Sequence, residues 1–421
     1  MKVVHIVACP LHSGAGRAIR SLHENLLSKR IESHVLGRIE FDLPKELNPH
    51  PVPLWKKLPV SLGNRIVRWR LKRRYQTTLH NFHPVGFGLN LHRSKIYREA
   101  DIIHVQFAGA TTMGPPLWKA LKNEHRPVIW TLRDMWTFTG GCHFSADCQK
   151  YHASCGGCPQ LGNVDDEKQT SKDLAFKKAH IGSTTTFVAI SKIIAQQSQQ
   201  SSVLQGCEIR VIPNTVMLDR FEKTKKEVAR QALGLPENKI IISAGALNLA
   251  DPRKGSESLA KLLEAFRNNP SIHWAIFGQG LEKLVDPVPK NCTFFGLLDN
   301  DTTLNQIYSA SNVYLMPSLQ ESFGKTTVEA MASGTPVIAY DNTPAAEMIQ
   351  NDETGWLVPH DNQSKYLTKT EQAIALGAEA LAKMGEKACE YVHAEFSLDQ
   401  ITQQHISLYN EKLKACSAKL Q

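Results

Sequence analysis

Short apolar runs alternate with amphipathic stretches along the chain. In the first half the runs are Val3 to Ala8, Ile102 to Val105, Val128 to Leu132 and Thr186 to Ile190. The second half repeats the pattern at Ile209 to Ile212, Ile240 to Ala244, His273 to Phe277, Thr293 to Phe295, Val313 to Met316 and Pro336 to Tyr340. Apolar runs this short, separated by stretches with helical spacing, predict strands of parallel sheets covered by helices on both faces. The expected fold class is α/β, with two doubly wound, Rossmann-like domains over residues 1–204 and 205–395 and a boundary near Leu204 to Asn214. In the remaining segment, 396–421, Ile401, Ile406, Leu408 and Leu413 are spaced as in a helix. The opening Met1-Lys-Val-Val-His-Ile-Val-Ala is too short an apolar run for a secretory signal and reads as the first strand.

Composition narrows the class. A chain of 421 residues, 42% hydrophobic, can bury two cores and is not a disordered protein. Its apolar runs fall well short of the roughly 18 residues a membrane span needs, so a cytoplasmic soluble enzyme is expected. The net charge of +9 concentrates in Trp55 to Tyr75, where Lys and Arg interleave with Leu, Ile and Trp. Such a segment either lies on an anionic membrane, here the cytoplasmic face of the inner membrane, or is a solvated helix with its apolar side in the domain. Four of the nine cysteines, Cys142, Cys148, Cys155 and Cys158, form a C-x5-C-x6-C-x2-C insert over 142–158. Clustered thiols in a reducing compartment suit a structural zinc ion, with His143 and His152 as spare ligands. Only the last pair has knuckle spacing, and the alternative is a loop of reduced thiols.

The sharpest chemistry lies in Glu321-Ser-Phe-Gly-Lys-Thr-Thr-Val-Glu329. A strand ends at Pro317, and a helix begins near Gly324, so the amides of Gly324 to Thr326 sit at a helix N-terminus that favours a phosphate. Glu321 and Glu329 can each accept from neutral hydroxyls, as a sugar and a ribose present. The bland reading makes Glu321 a cap and Glu329 a surface carboxylate. The whole string, with Ser322, Phe323 and Lys325, resembles the Glu-x7-Glu motif of retaining two-domain glycosyltransferases (GT-B type, family 4 or group 1). The resemblance implies two facing domains with a cleft between them, a last helix that crosses back to the N-terminal domain, and catalysis that needs no metal. It also implies a UDP- or GDP-sugar donor, with a glycan or lipid-linked oligosaccharide as acceptor.

Other loops extend the resemblance. Gly14 and Gly16 follow the first strand and bring backbone close to a ligand; with Arg17 they face diphosphate and acceptor in the family. Arg253 and Lys254 follow another strand and suit a pyrophosphate. The family usually has an Arg where this chain has Ala246, which shifts weight onto that pair. Gly278-Gln-Gly280 and Phe295-Gly296 resemble nucleobase-holding segments. Many members carry a catalytic-site His where this chain has Arg133; His143 or His104 could substitute, and Asp134 could orient Arg133 or bind acceptor hydroxyls. The run Trp130 to Phe144, with the cysteines after it, resembles a subgroup that makes exopolysaccharide, colanic-acid-type capsule and lipopolysaccharide. The expected activity is hexose transfer in bacterial surface polysaccharide synthesis. A nucleotide-sugar 2-epimerase on the same fold is the alternative. A basic, zinc-stabilised nucleic-acid binder is a third, and no recognisable binding module supports it.

Overall fold

A computed structural model describes residues 1–11, 13–37, 48–75, 81–107, 112–162, 167–214, 216–360 and 362–420. The chain divides into two units, 1–213 with 399–421 and 214–398. Each is built around one all-parallel sheet.

The first sheet has seven strands: β1 (Lys2–Val7), β2 (Glu32–Gly37), β3 (Pro49–Pro51), β4 (Ile102–Val105), β5 (Val128–Leu132), β6 (Thr185–Ala189) and β7 (Ile209–Val211). Their order is β3-β2-β1-β4-β5-β6-β7. The central strands are buried on both faces, as their largely apolar sequences favour, with His5, His104 and Thr131 buried among the apolar residues. The second sheet has six: β8 (Ile240–Asn248), β9 (Ile272–Gln279), β10 (Cys292–Phe294), β11 (Val313–Met316), β12 (Val337–Tyr340) and β13 (Gly355–Val358), ordered β10-β9-β8-β11-β12-β13. Both sheets are doubly wound, so the expected fold class holds at the level of each unit.

Three strands escape the apolar pattern. β2 carries Glu32, Ser33 and His34, β3 is bounded by prolines, and β13 opens on Gly355 and has only three apolar residues, Trp356 to Val358. One strand changes sheets: Ile209–Val211, grouped above with the second half, pairs with β6 as the edge of the first sheet. Arg210 and Val211 are exposed, as an edge position allows. The division falls after Pro213, within the stretch Leu204 to Asn214.

The helix Leu398–Leu420 belongs to the first unit from Asp399 onward. Ile401, Leu408 and Tyr409 pack there with Val3, Leu22, Ile102, Ile129 and Val188. Among the described residues, no helix is long and apolar enough to cross a membrane.

Candidate functional site

In a doubly wound sheet, ligands bind beyond the carboxyl ends of the strands where the winding reverses. The second sheet reverses between β8 and β11. The loops leaving those two strands carry Arg253 with Lys254 and Glu321, and they are locked together. Leu319 donates its amide to the Arg253 carbonyl at 2.9 Å. Gly255, at φ 75°, lies so close to the β11 end that a Cβ there would fall 1.9 Å from the Pro317 carbonyl oxygen. Only glycine satisfies both the left-handed backbone and that approach. Gly255→Ala is expected to push the two loops apart, at about 3 kcal/mol or more. A chemical denaturation curve for the variant checks this, and an unchanged midpoint would contradict the packing described.

This locking brings the charges together. Lys254 Nζ meets Glu321 Oε1 at 2.5 Å, and Arg253 Nη1 stands 3.8 Å from Glu321 Oε2. Burial alone would raise the Glu321 carboxyl; Lys254, Arg253 and a hydrogen bond from Ser318 outweigh it and hold the group below the usual carboxylate range. Arg253 is oriented by Asp251, which caps the turn through the Arg253 amide at 3.0 Å and lies 3.4 Å from Nη2, and it donates from Nη1 to the Gln320 carbonyl at 3.0 Å. Asp251 and Ser318 are the residues that sequence reasoning missed here. Asp251 two residues before Arg253 was the available signal, as an Asx-type cap.

The helix Lys325–Ala332 starts at Gly324, which adopts φ 75° as its N-cap. Thr327 Oγ1 bonds Met316 Sδ at 2.8 Å, fixing that start against β11. Glu329 is buried and takes Lys325 Nζ at 2.7 Å, so it is not the surface carboxylate of the bland reading. Lys325 and Thr326 in the first turn are half-buried, whereas Phe323 is a core residue, edge-on to Phe396 at 6.2 Å. Ser322 is buried beside it. Gly278 closes the same sheet edge by donating to the Gly296 carbonyl at 2.7 Å, and Leu249 donates to Gln279 at 2.8 Å. Arg253, Lys254, Glu321, Gly324, Lys325, Glu329 and Gly278 therefore share the carboxyl edge of one sheet.

The winding of the first sheet reverses between β1 and β4; Gly14 and Gly16 follow β1, and Arg133, after β5, bonds Gln106 just beyond β4. Gly14 opens the helix Gly14–Ser28 with space beside it, while a Cβ at Gly16 would strike the Pro10 carbonyl at 2.0 Å, so Gly16 is needed for packing. Arg133 donates from Nε to the Gln106 carbonyl at 2.8 Å and from Nη2 to Gln106 Oε1 at 2.6 Å. Burial pulls its pKa down to about 10, which leaves it cationic at neutral pH. His143 is bonded through Nδ1 to Asp134 at 2.8 Å and through Nε2 to His83 Nδ1 at 2.8 Å. Burial, His143 and Arg68 lower His83 to about 4. Asp134 thus orients His143. His104 is wholly buried, between Thr131 at 2.8 Å and Tyr409 at 2.6 Å, and serves packing of the last helix.

The four clustered cysteines line one narrow cavity with Tyr151 and Thr170. Burial pushes the Cys142 and Cys155 thiols up to about 11 and Cys158 to about 12. Tetrahedral zinc would need deprotonated, converging sulfurs. Among the described residues, no group of three or more His, Cys, Asp or Glu is placed to hold a metal ion, so the zinc expectation gains no support from the geometry. A concavity of about 1140 Å³ elsewhere in the first unit, between Pro49–Val60 and Gly88–Glu99, contains none of the motif residues.

Residues 225–391 match the family described as Glycosyl transferases group 1. The D-inositol 3-phosphate glycosyltransferase of Gordonia bronchialis is 29% identical over 264 residues, 57% of this chain and 56% of that one. The chain thus spans about half the length of the curated relatives it matches. Sucrose-phosphate synthase (tll1590) from Thermosynechococcus elongatus has the same fold, with a TM-score of 0.69 at 20% identity over 99% of this chain and 100% of that chain. So has Anabaena Alr3699/HepE, crystallised with UDP-glucose, with a TM-score of 0.62 at 17% identity over 99% and 100%. The two Rossmann-like units share the fold of these solved structures.

Proposed function

From a group 1 glycosyl transferase domain over residues 225–391, we propose that the whole chain transfers a sugar from a nucleoside-diphosphate donor to an acceptor hydroxyl with retention at the anomeric carbon. The observation that carries the reading is the Arg253–Lys254–Glu321 cluster beside the Gly324 helix start. In the transfer, the bond between the anomeric carbon and the diphosphate oxygen breaks, and the acceptor oxygen bonds to that carbon from the same side. The acceptor proton passes to the departing diphosphate, so no carboxylate nucleophile is needed. Negative charge grows on the leaving phosphate as the sugar becomes oxocarbenium-like.

Lys254 has three donors, so its ammonium can keep Glu321 and still face a phosphate oxygen. Arg253 adds a forked donor, and the amides of Gly324 to Thr326 add the positive end of a helix. Such preorganised charge is most valuable where it is shielded from water. Glu321 positions the donor sugar, and Glu329 keeps Lys325 on Oε1 and accepts from ribose hydroxyls on its other oxygen. Gly278 holds the base through backbone groups, the family resemblance gives Gly14 and Arg133 to the diphosphate and the acceptor, and His143 stiffens the loop behind Arg133.

A hexose donor and a surface-polysaccharide acceptor are favoured by the Trp130 to Cys158 resemblance. The curated relatives are named for inositol phosphate, so that acceptor belongs in the same panel. The test is release of nucleoside diphosphate from UDP- and GDP-hexoses with inositol phosphate, lipid-linked glycan or no acceptor. Acceptor-dependent release from one donor supports the reading. Conversion of the donor sugar without any acceptor would instead favour an epimerase.

A further inference from the structure

The helix Leu54–Tyr75 carries eight Lys and Arg residues and no Asp or Glu. Its inner face packs on the first unit: Leu71 and Tyr75 join a core with Phe82 and Leu161, Val60 rests against the main core, and Asn64 bonds Phe87 in both directions at 2.8 and 3.0 Å. The outer face is not polar. Leu58 is 65% exposed, Leu62 61%, Ile66 43% and Trp69 57%. At about 100° per residue these four fall within an arc of roughly 80°, on the side of the helix opposite the buried residues. Arg65 and Lys72 flank the stripe on one side and Arg70 on the other, all exposed, and Arg73 stacks over Trp69 at 5.5 Å. Phe87, 56% exposed, sits against Gly63 and widens the apolar patch.

We propose that this outer face docks on the surface of an anionic lipid bilayer, with Leu58, Leu62, Ile66 and Trp69 in the headgroup–acyl boundary and the flanking cations on lipid phosphates. Two features decide the occupant. A central apolar stripe has no use on a nucleic-acid backbone, which asks only for cations, whereas interfacial helices need apolar residues on one side and Lys or Arg along its borders. An acid-free face bearing this many cations would repel a second copy of itself. The inference is independent of the transfer reaction: it rests on the first unit alone and would stand if that reading failed.

The test uses the full chain and large vesicles, either pure phosphatidylcholine or about 30% phosphatidylglycerol, in a sedimentation assay. Partition onto anionic vesicles is expected to exceed that onto neutral ones at least about tenfold and to fall in high salt. Leu58→Ser/Leu62→Ser/Ile66→Ser/Trp69→Ser should lose about tenfold or more while keeping the native thermal transition, since these side chains are on the surface. Arg65→Gln/Arg70→Gln/Lys72→Gln/Arg73→Gln should lose the lipid preference. A bound brominated lipid should quench the parent protein more than Trp69→Phe. Equal partition onto both vesicles, undiminished binding by the serine variant, a dimer that the serine variant abolishes, or retention on oligonucleotides without vesicle binding would each overturn the proposal.

Discussion

Lys254→Ala is expected to lower turnover about 10²- to 10³-fold, the loss typical when one preorganised donor to a developing anion is removed. Two effects combine. On the proposed reaction the variant loses a cation at the leaving phosphate, and it strips the partly buried Glu321 of its nearest counter-charge, 2.5 Å away. Glu321 is held ionised against burial mainly by Lys254 and then Arg253, so its carboxyl should move up toward the ordinary range or beyond it. Lys254→Arg should restore part of the activity, because the charge returns with different geometry. Steady-state kinetics of both variants with one donor separate these outcomes. Near-normal turnover in Lys254→Ala would remove Lys254 from the site.

Acidification should unfold the first unit well before it affects the second. His5, His104 and His405 are buried side by side, with ring centroids 5.2 and 5.5 Å apart, between β1, β4 and the last helix. His5 is served by Ser33 and Gln106 and His104 by Gln106, Thr131 and Tyr409, and Arg133, His23 and His34 add positive charge around the cluster. Burial lowers all three, His405 to about 3. The unfolded chain binds protons at these positions below about pH 6.5, and the folded unit does not. Their contribution is therefore complete above pH 6.5 and is lost as pH falls, at about 1.4 kcal/mol per pH unit for each histidine. Denaturation midpoints at pH 7.5, 6 and 5, followed by a probe in the first unit, should decline steeply, and His405→Phe should flatten the decline. A midpoint independent of pH over that range would contradict the buried neutral cluster.

What the sequence disclosed follows from how local each signal was. The central strands are contiguous, mostly apolar runs, and the Glu321 to Glu329 string and the Arg253–Lys254 pair are contiguous too, so their chemistry could be read directly. Gln106 holding Arg133, His83 backing His143, and Tyr409 reaching His104 join residues tens to hundreds of positions apart, which only the folded sheet brings together. β2 was missed because its start is polar, and β7 was assigned to the wrong sheet because an edge strand pairs by topology, not by composition. The Leu54–Tyr75 helix presented two readings in sequence, a membrane face or a face packed on the domain. The structure gives it two apolar stripes on opposite sides, so no single amphipathic direction stands out.

The most direct test of the central claim is calorimetric titration of the protein with UDP- and GDP-hexoses, repeated with Lys254→Ala and Glu329→Gln. The account predicts saturable binding of one donor, weakened at least about tenfold by either substitution. Binding of no donor, or binding that both variants retain in full, would contradict it.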